Sequence, residues 1–229
     1  MRAARLHEFT HDMESAFTIE DRPRPEVTRS DHVVVDVEGA GWCQTDNHVV
    51  EGEWQEYIPI QLPHTPGHEN AGTVAEVGDE VTLVEPGDQV ICHPVMTCGT
   101  CRACRQGQDM YCEDIGFSGM THDGGFAEEL LTTERAVIPL DSVDPVDIAP
   151  HADAGITAYH ATKKARDELV PGDTALVVGV GGLGHIGLQA LDAMTAADIV
   201  AVDPKREARD LAERLGASET IDPWSEDVD

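Results

Sequence analysis

The 229-residue sequence predicts an α/β protein in two parts: a β-rich, barrel-like domain over residues 1–150, then parallel βαβ units over 151–229. Three observations carry this. Short Val- and Ile-rich runs punctuated by Gly, Pro and Asp fill the first part. After Pro150, apolar strands alternate with longer helical patterns. A glycine cluster stands where one of those strands meets the next helix.

In order along the chain, His32–Glu38 reads as a strand and Gly39-Ala40-Gly41 as a turn. Gly72–Gly78 and Asp88–Cys92 are further strands, separated by a Pro-Gly turn at Glu85–Asp88. Many short strands with such punctuation suit a barrel. Ala154–Leu169 reads as a helix stopped by Pro171-Gly172, and Thr174–Gly179 as a buried strand. A helix over Leu183–Met194, a strand over Asp198–Asp203, a helix over Lys205–Leu215 and a short strand over Ser218–Ile221 complete the series. Only the first half of a doubly wound domain is visible in that series, and the strand from Thr174 is expected to lack a neighbour on one side.

Lys+Arg number 15 against 44 Asp+Glu, a formal net charge of −29. Such a chain repels itself in dilute buffer, whereas molar salt shortens the screening length to about 3 Å. A salt-rich, halophile-like cytoplasm is therefore expected. The acidity argues against nucleic-acid phosphate or anionic lipid as partners. The hydrophobic fraction of 41% permits a core and argues against disorder. No apolar leader opens the sequence, and the longest apolar stretch, 174–191, is interrupted by glycines, His185 and Gln189.

Four of the six cysteines, Cys98, Cys101, Cys104 and Cys112, follow a C-x2-C-x2-C-x7-C spacing. Close thiols supply a tetrahedral zinc with its soft ligands at little loop-closure cost. A redox C-x-x-C pair belongs before a helix in a thioredoxin-like unit, and this segment is a loop. A zinc-ribbon nucleic-acid module lacks its basic face here. Upstream, Cys43 and His68 offer one thiolate and one imidazole from separate loops, a set suited to a catalytic zinc with an open position. A lone Cys or His is more often ordinary packing, and local spacing does not reveal a third ligand.

Gly179-Val-Gly181-Gly182-Leu183-Gly184 follows a strand and opens a helix, the context of a dinucleotide fingerprint. Gly179 permits the tight turn, Gly181 the approach of a pyrophosphate, and Gly184 close helix–strand packing. Asp203 ends the next strand and is placed to accept from the adenosine ribose hydroxyls, favouring NAD over NADP. Lys205 and Arg206 nearby pull the other way, since either can meet a 2′-phosphate.

Together these residues resemble the zinc-dependent alcohol dehydrogenases of the medium-chain dehydrogenase/reductase family, across essentially the whole chain and in the family's order. The resemblance implies a GroES-like β-barrel catalytic domain followed by a Rossmann domain, two Zn2+ per chain, NAD, an alcohol, aldehyde or ketone as small-molecule partner, and a homo-oligomer at full length. It also supplies the third catalytic-zinc ligand: Pro150–Tyr159 is similar to the stretch that carries it, and this chain has Asp153 where many members have Cys. Glu69 is implied behind the metal, and Asp46 as the carboxylate orienting His68. Thr45 and His48 are implied as the relay that takes the alcohol's proton to solvent. Trp54 and Tyr57 follow the relay segment, as pocket wall or as core. Because the chain stops within the cofactor domain, it is expected to lack alcohol-dependent turnover by itself; a silent zinc-binding dehydrogenase fragment and a polyol or sugar dehydrogenase are the alternatives.

Overall fold

Val33, Val34 and Val35 are all fully buried, so the strand containing them is covered on both faces. It is the centre of a computed structural model that describes residues 1–224. The chain divides into two compact units, Met1–Asp153 and Ala154 onward.

In the first unit β1 (Arg2–Leu6) and β2 (Phe17–Asp21) form an antiparallel hairpin. β3 (His32–Gly41) leads into α1 (Gln44–Glu51). Then come β4 (Glu69–Val77), β5 (Gln89–Cys92), β6 (Val95–Met96), α2 (Arg102–Arg105), β7 (Gly116–Phe117), β8 (Glu129–Thr133), β9 (Val137–Pro139) and α3 (Pro145–Ile148). Five strands make an antiparallel sheet in the order β8-β3-β4-β5-β9, and β6 and β7 form a separate ribbon. The sheet's core is β-branched and aliphatic: Val33, Val35, Val74, Val84, Val90, Leu130 and Val137, with Cys92 among them. Burial pushes the Cys92 thiol up to about 12, so it packs as an inert apolar group.

The expected turn at Gly39–Gly41 is instead the end of β3, which pairs on to Gly41↔Glu69 through a register irregularity between Val37 and Gly39. These glycines answer close approach, not reversal. A Cβ on Gly39 would meet the Val146 Cα at 2.8 Å, and one on Gly41 would meet Glu69 Oε2 at 2.2 Å.

The second unit contains α4 (Ala154–Arg166), β10 (Thr174–Val178), α5 (Gly184–Met194), β11 (Asp198–Val202), α6 (Arg206–Arg214) and β12 (Glu219–Ile221). The three strands are parallel in the order β10-β11-β12, with Thr174↔Asp198 and Val200↔Glu219 in register. α4 is shorter than its periodicity suggests, ending at Arg166. The core is Ala175, Val180, Leu188, Leu191, Ile199, Ala201 and Ala212. β10 is buried on one face only: Ala175 is covered, whereas Leu176 and Val178 are 60% and 75% exposed. Among the described residues no helix is long and apolar enough to cross a membrane.

Candidate metal centre and dinucleotide site

The antiparallel register of β3 and β4 brings together the two loops that follow and precede them. Gly41 lies opposite Glu69, so Cys43, at the head of α1, and His68, just before β4, stand side by side. Asp153 ends the 3-10 turn Ala149–Ala152, which is anchored by Ala149 and Ala152 packing on Ala71 and Ile91 of β4 and β5. One potential ligand atom from each of Cys43, His68, Glu69 and Asp153 lies within 4.8 Å of the others. His151, the neighbouring imidazole, is exposed and outside the cluster.

Asp46 organises this centre from behind. It is fully buried, and its carboxylate accepts from the Cys43 backbone N–H at 2.9 Å and from the Gly67 N–H at 3.2 Å. Its Oδ1 also lies 3.1 Å from Nδ1 of His68. A carboxylate there holds a proton on Nδ1, so that Nε2 is the nitrogen facing the cluster and the one a metal would take in place of a proton. Nε2 is buried and makes no hydrogen bond; its neighbour is Asp153 Oδ2 at 3.5 Å. Burial opposes charge on this imidazole, but Asp153, Asp46 and Cys43 overcome it and lift His68 to about 11.

The arrangement fits a zinc ion on three counts. The donor set is one thiolate, one imidazole and one carboxylate, with a second carboxylate close by. The 3.5 Å between His68 Nε2 and Asp153 Oδ2 is close to the tetrahedral edge of about 3.4 Å that ordinary Zn–N and Zn–O lengths give. Gly41 supplies the third: any Cβ there would occupy the place of the Glu69 carboxylate.

The second cluster is the thiol lobe. Cys98, Cys101, Cys104 and Cys112 bring their sulfurs within 4.8 Å of one another, and all are free thiols. Cys98 and Cys112 Sγ are 3.6 Å apart, against about 3.8 Å for the edge of a zinc–thiolate tetrahedron. Backbone N–H groups from Thr100 and Cys101 hold the Cys98 thiol down to about 6, so it is predisposed to be a thiolate. α2 and the 3-10 turn Asp109–Tyr111 carry Cys104 and lead to Cys112, and Arg135 ties the lobe down through Asp109 at 2.7 Å.

α1 carries Thr45, half-buried, and His48 one turn later. The helix was not read from the sequence, although Gly52, at φ 75° in its C-cap, is an ordinary stop signal. Trp54 packs with Val49, Ile60 and Met120, while Tyr57 is 77% exposed. Trp54 therefore belongs to the core side and Tyr57 to the surface.

In the second unit Gly179 has φ 88°, as a tight turn after β10 requires. A Cβ on Gly181 or Gly182 would meet nothing within 4 Å, which leaves that backbone open to a ligand. Gly184 is needed chiefly by the loop itself: its Cβ would fall 1.8 Å from the Gly179 carbonyl oxygen, and only 3.8 Å from Val177 of β10. Leu183 stands at the N-terminus of α5 and is half exposed. Asp203 is buried, and both of its oxygens are engaged. Oδ2 accepts from Val180 N–H and Oδ1 from Lys205 N–H, each at 2.8 Å. These bonds hold its carboxyl below the usual range and tie the glycine turn to the end of β11. That clamping role was not legible in the sequence, which signalled only a ribose acceptor.

The architecture matches known proteins. Residues 29–142 match the alcohol dehydrogenase GroES-like domain. A crystal structure of the alcohol dehydrogenase from the hyperthermophilic archaeon Aeropyrum pernix superposes with TM-score 0.92 at 48% identity, over 99% of this chain and 66% of that one. The chain belongs to the zinc-type medium-chain dehydrogenase/reductase family. Another member, an NAD-dependent alcohol dehydrogenase of Sulfurisphaera tokodaii, is 36% identical over 99% of this chain and 65% of its own length. A D-arabinose 1-dehydrogenase (NADP(+)) of Saccharolobus solfataricus is 36% identical over 94% of this chain and 61% of its own. The chain spans about 65% of the length of the curated relatives it matches.

Proposed function

We propose that this chain carries the zinc centres and the adenosine half of the cofactor site of an NAD(P)-dependent alcohol dehydrogenase, which moves a hydride between a primary or secondary alcohol and the nicotinamide. The convergence of Cys43, His68 and Asp153, with Glu69 beside them, carries this reading. Zinc, when bound there, supplies Lewis acidity that makes an alcohol hydroxyl more acidic and polarises a carbonyl in the reverse direction. Cys43, His68 and Asp153 would hold it, and Glu69 offers a further oxygen. Asp46 orients His68 and fixes its tautomer. Thr45 and His48 would pass the alcohol's proton outward. Cys98, Cys101, Cys104 and Cys112 would hold the second, structural zinc. Asp203 favours NAD: a second anion beside its carboxylate is repelled, and the basic groups near it that offset this are Lys205, Arg206 and Arg209, whose Nη1 donates to the Asp203 carbonyl at 2.7 Å.

A sugar or polyol substrate is the second reading, favoured by the similarity to the D-arabinose enzyme. The acidic surface suits work in a salt-rich cytoplasm, and the same reading includes assembly into a homo-oligomer at full length. Metal analysis in molar KCl is expected to return two zinc ions per chain, and Asp153→Ala one. Assay with NAD, NADP and a panel of alcohols and polyols then separates a working dehydrogenase from a silent zinc-binding fragment. Retention of both ions by Asp153→Ala would remove the ligand assignment.

A further inference from the structure

His48 has a partner that the metal centre does not use. Its Nδ1 lies 2.5 Å from Oε2 of Glu53. The contact is close in distance but not yet aligned as a hydrogen bond, and Nδ1 itself is buried. Groups of this kind tighten when a site is filled. Gly52, left-handed at φ 75°, turns the chain so that Glu53, the first residue of the following 3-10 turn, folds back over the end of α1. Trp54 packs edge-on against the imidazole, with ring centres 6.3 Å apart. Glu51, which offers a carboxylate oxygen within 4.8 Å of the ligand atoms of His48 and Glu53, pairs with His11 at 3.5 Å. Glu53 is 56% exposed and the His48 ring 32%, so the pair runs from protected to wet.

We propose that Glu53 is the positioning residue for His48 and the outlet of its proton path. The inference rests on the dehydrogenase reading above. Glu53 keeps the His48 proton on Nδ1, so that Nε2 is the free base. When Nε2 takes up a proton, the ring becomes imidazolium and hands the Nδ1 proton to the Glu53 carboxylate. The resulting carboxylic acid gives that proton to water. Exchange with solvent returns the ring to its starting tautomer, and no electrons move. Thr45 stands three residues before His48 on the same face of α1, on the approach side of the path.

The test compares wild type, Glu53→Gln and Glu51→Gln, all zinc-loaded in molar KCl. Nitrogen NMR reads the His48 tautomer. Wild type is expected to hold the Nδ1–H form, and Glu53→Gln to lose that preference, because an amide can present an N–H to the ring as well as an oxygen. Glu51→Gln is expected to leave the tautomer in place. In alcohol oxidation kcat should fall in Glu53→Gln and be restored by added buffer base, since the carboxylate no longer takes the proton. An unchanged tautomer in Glu53→Gln overturns the proposal, and so does a third zinc that Glu53→Gln abolishes. The NMR result decides it even where turnover is absent, so a failure of the dehydrogenase reading stays separate from a failure of this one.

Discussion

Asp46→Asn should loosen one zinc site and spare the other. Asp46 Oδ1 serves Gly67 N–H and His68 Nδ1, and Oδ2 serves Cys43 N–H. An amide has one acceptor and one donor end. With its oxygen at the Oδ1 place it keeps two of the three contacts and sets its NH2 against the Cys43 N–H. The loss is thus one hydrogen bond to a buried charge, about 1.5–3 kcal/mol of fold stability. Its effect on the metal is separate, because His68 loses the negative charge that makes Nε2 a stronger donor. Loss of such an orienting partner costs about 10–100-fold in metal affinity, equal to about 1.4–2.7 kcal/mol. Chelator competition in molar KCl reads both sites in one sample, with the thiol-lobe zinc as internal reference. If Asp46→Asn weakens both zinc ions equally, or leaves the first within twofold of wild type, the argument that Asp46 acts through His68 is wrong.

Other outcomes follow from the same geometry. Asp153→Cys should keep both zinc ions, because a thiolate replaces a carboxylate in a compatible donor set. Gly41→Ala should cost about 1–3 kcal/mol in denaturant unfolding, since the new Cβ lands 2.2 Å from a Glu69 oxygen whose side chain has no exposed space to retreat into. The Asp203 carboxyl is held below its usual range in the folded state, so its contribution is present above the unfolded carboxylate value and is lost as pH falls through the lowered one. Asp203→Asn should therefore flatten the acid side of the stability–pH curve, measured by unfolding from pH 6 downward. Thermal midpoints should rise with KCl, as screening removes the self-repulsion of a −29 chain.

What the sequence shows best is what local chemistry writes. The glycine turn after β10 and the thiol lobe are each contained in a few residues, and the structure finds their atoms together. β1, β2, β8 and β9 escaped because their alternation is weak: Phe17–Asp21 has no buried residue at all. β6 and β7 are two residues each and exist only by pairing. The Gly39–Gly41 misreading has a physical cause. Glycine marks both reversals and close approaches, and only the tertiary neighbours, Val146 and Glu69, separate the two. Asp153 came from resemblance alone, since its partners lie far upstream. The clamp made by Asp203 was invisible because it needs the backbone of two separate turns. The His48–Glu53 pair depends likewise on the left-handed Gly52.

The metal centre is in this sense a product of sheet register, and that gives it a testable weak point away from any ligand. Asp153 reaches the cluster only because α3 and the 3-10 turn after it lie tightly on β3, where Gly39 has no side chain. A Cβ on Gly39 would stand 2.8 Å from Val146 Cα and 3.1 Å from both the Ala149 Cβ and the Pro145 carbonyl oxygen. Most of these atoms are backbone, so the segment must shift as a body, and with it Asp153. Gly39→Ala is expected to weaken the first zinc about tenfold, the low end for a displaced ligand shell, while the thiol-lobe zinc stays unchanged. The decisive comparison is a double-mutant cycle. In an Asp153→Ala background, titrated with excess zinc so that the weakened first site fills, the displaced segment has no ligand left to move, so Gly39→Ala should add nothing further to the loss of zinc affinity. If the two losses add, Gly39 acts through β3 and Cys43 instead, and the seating of the segment after α3 is not what sets the position of the third ligand.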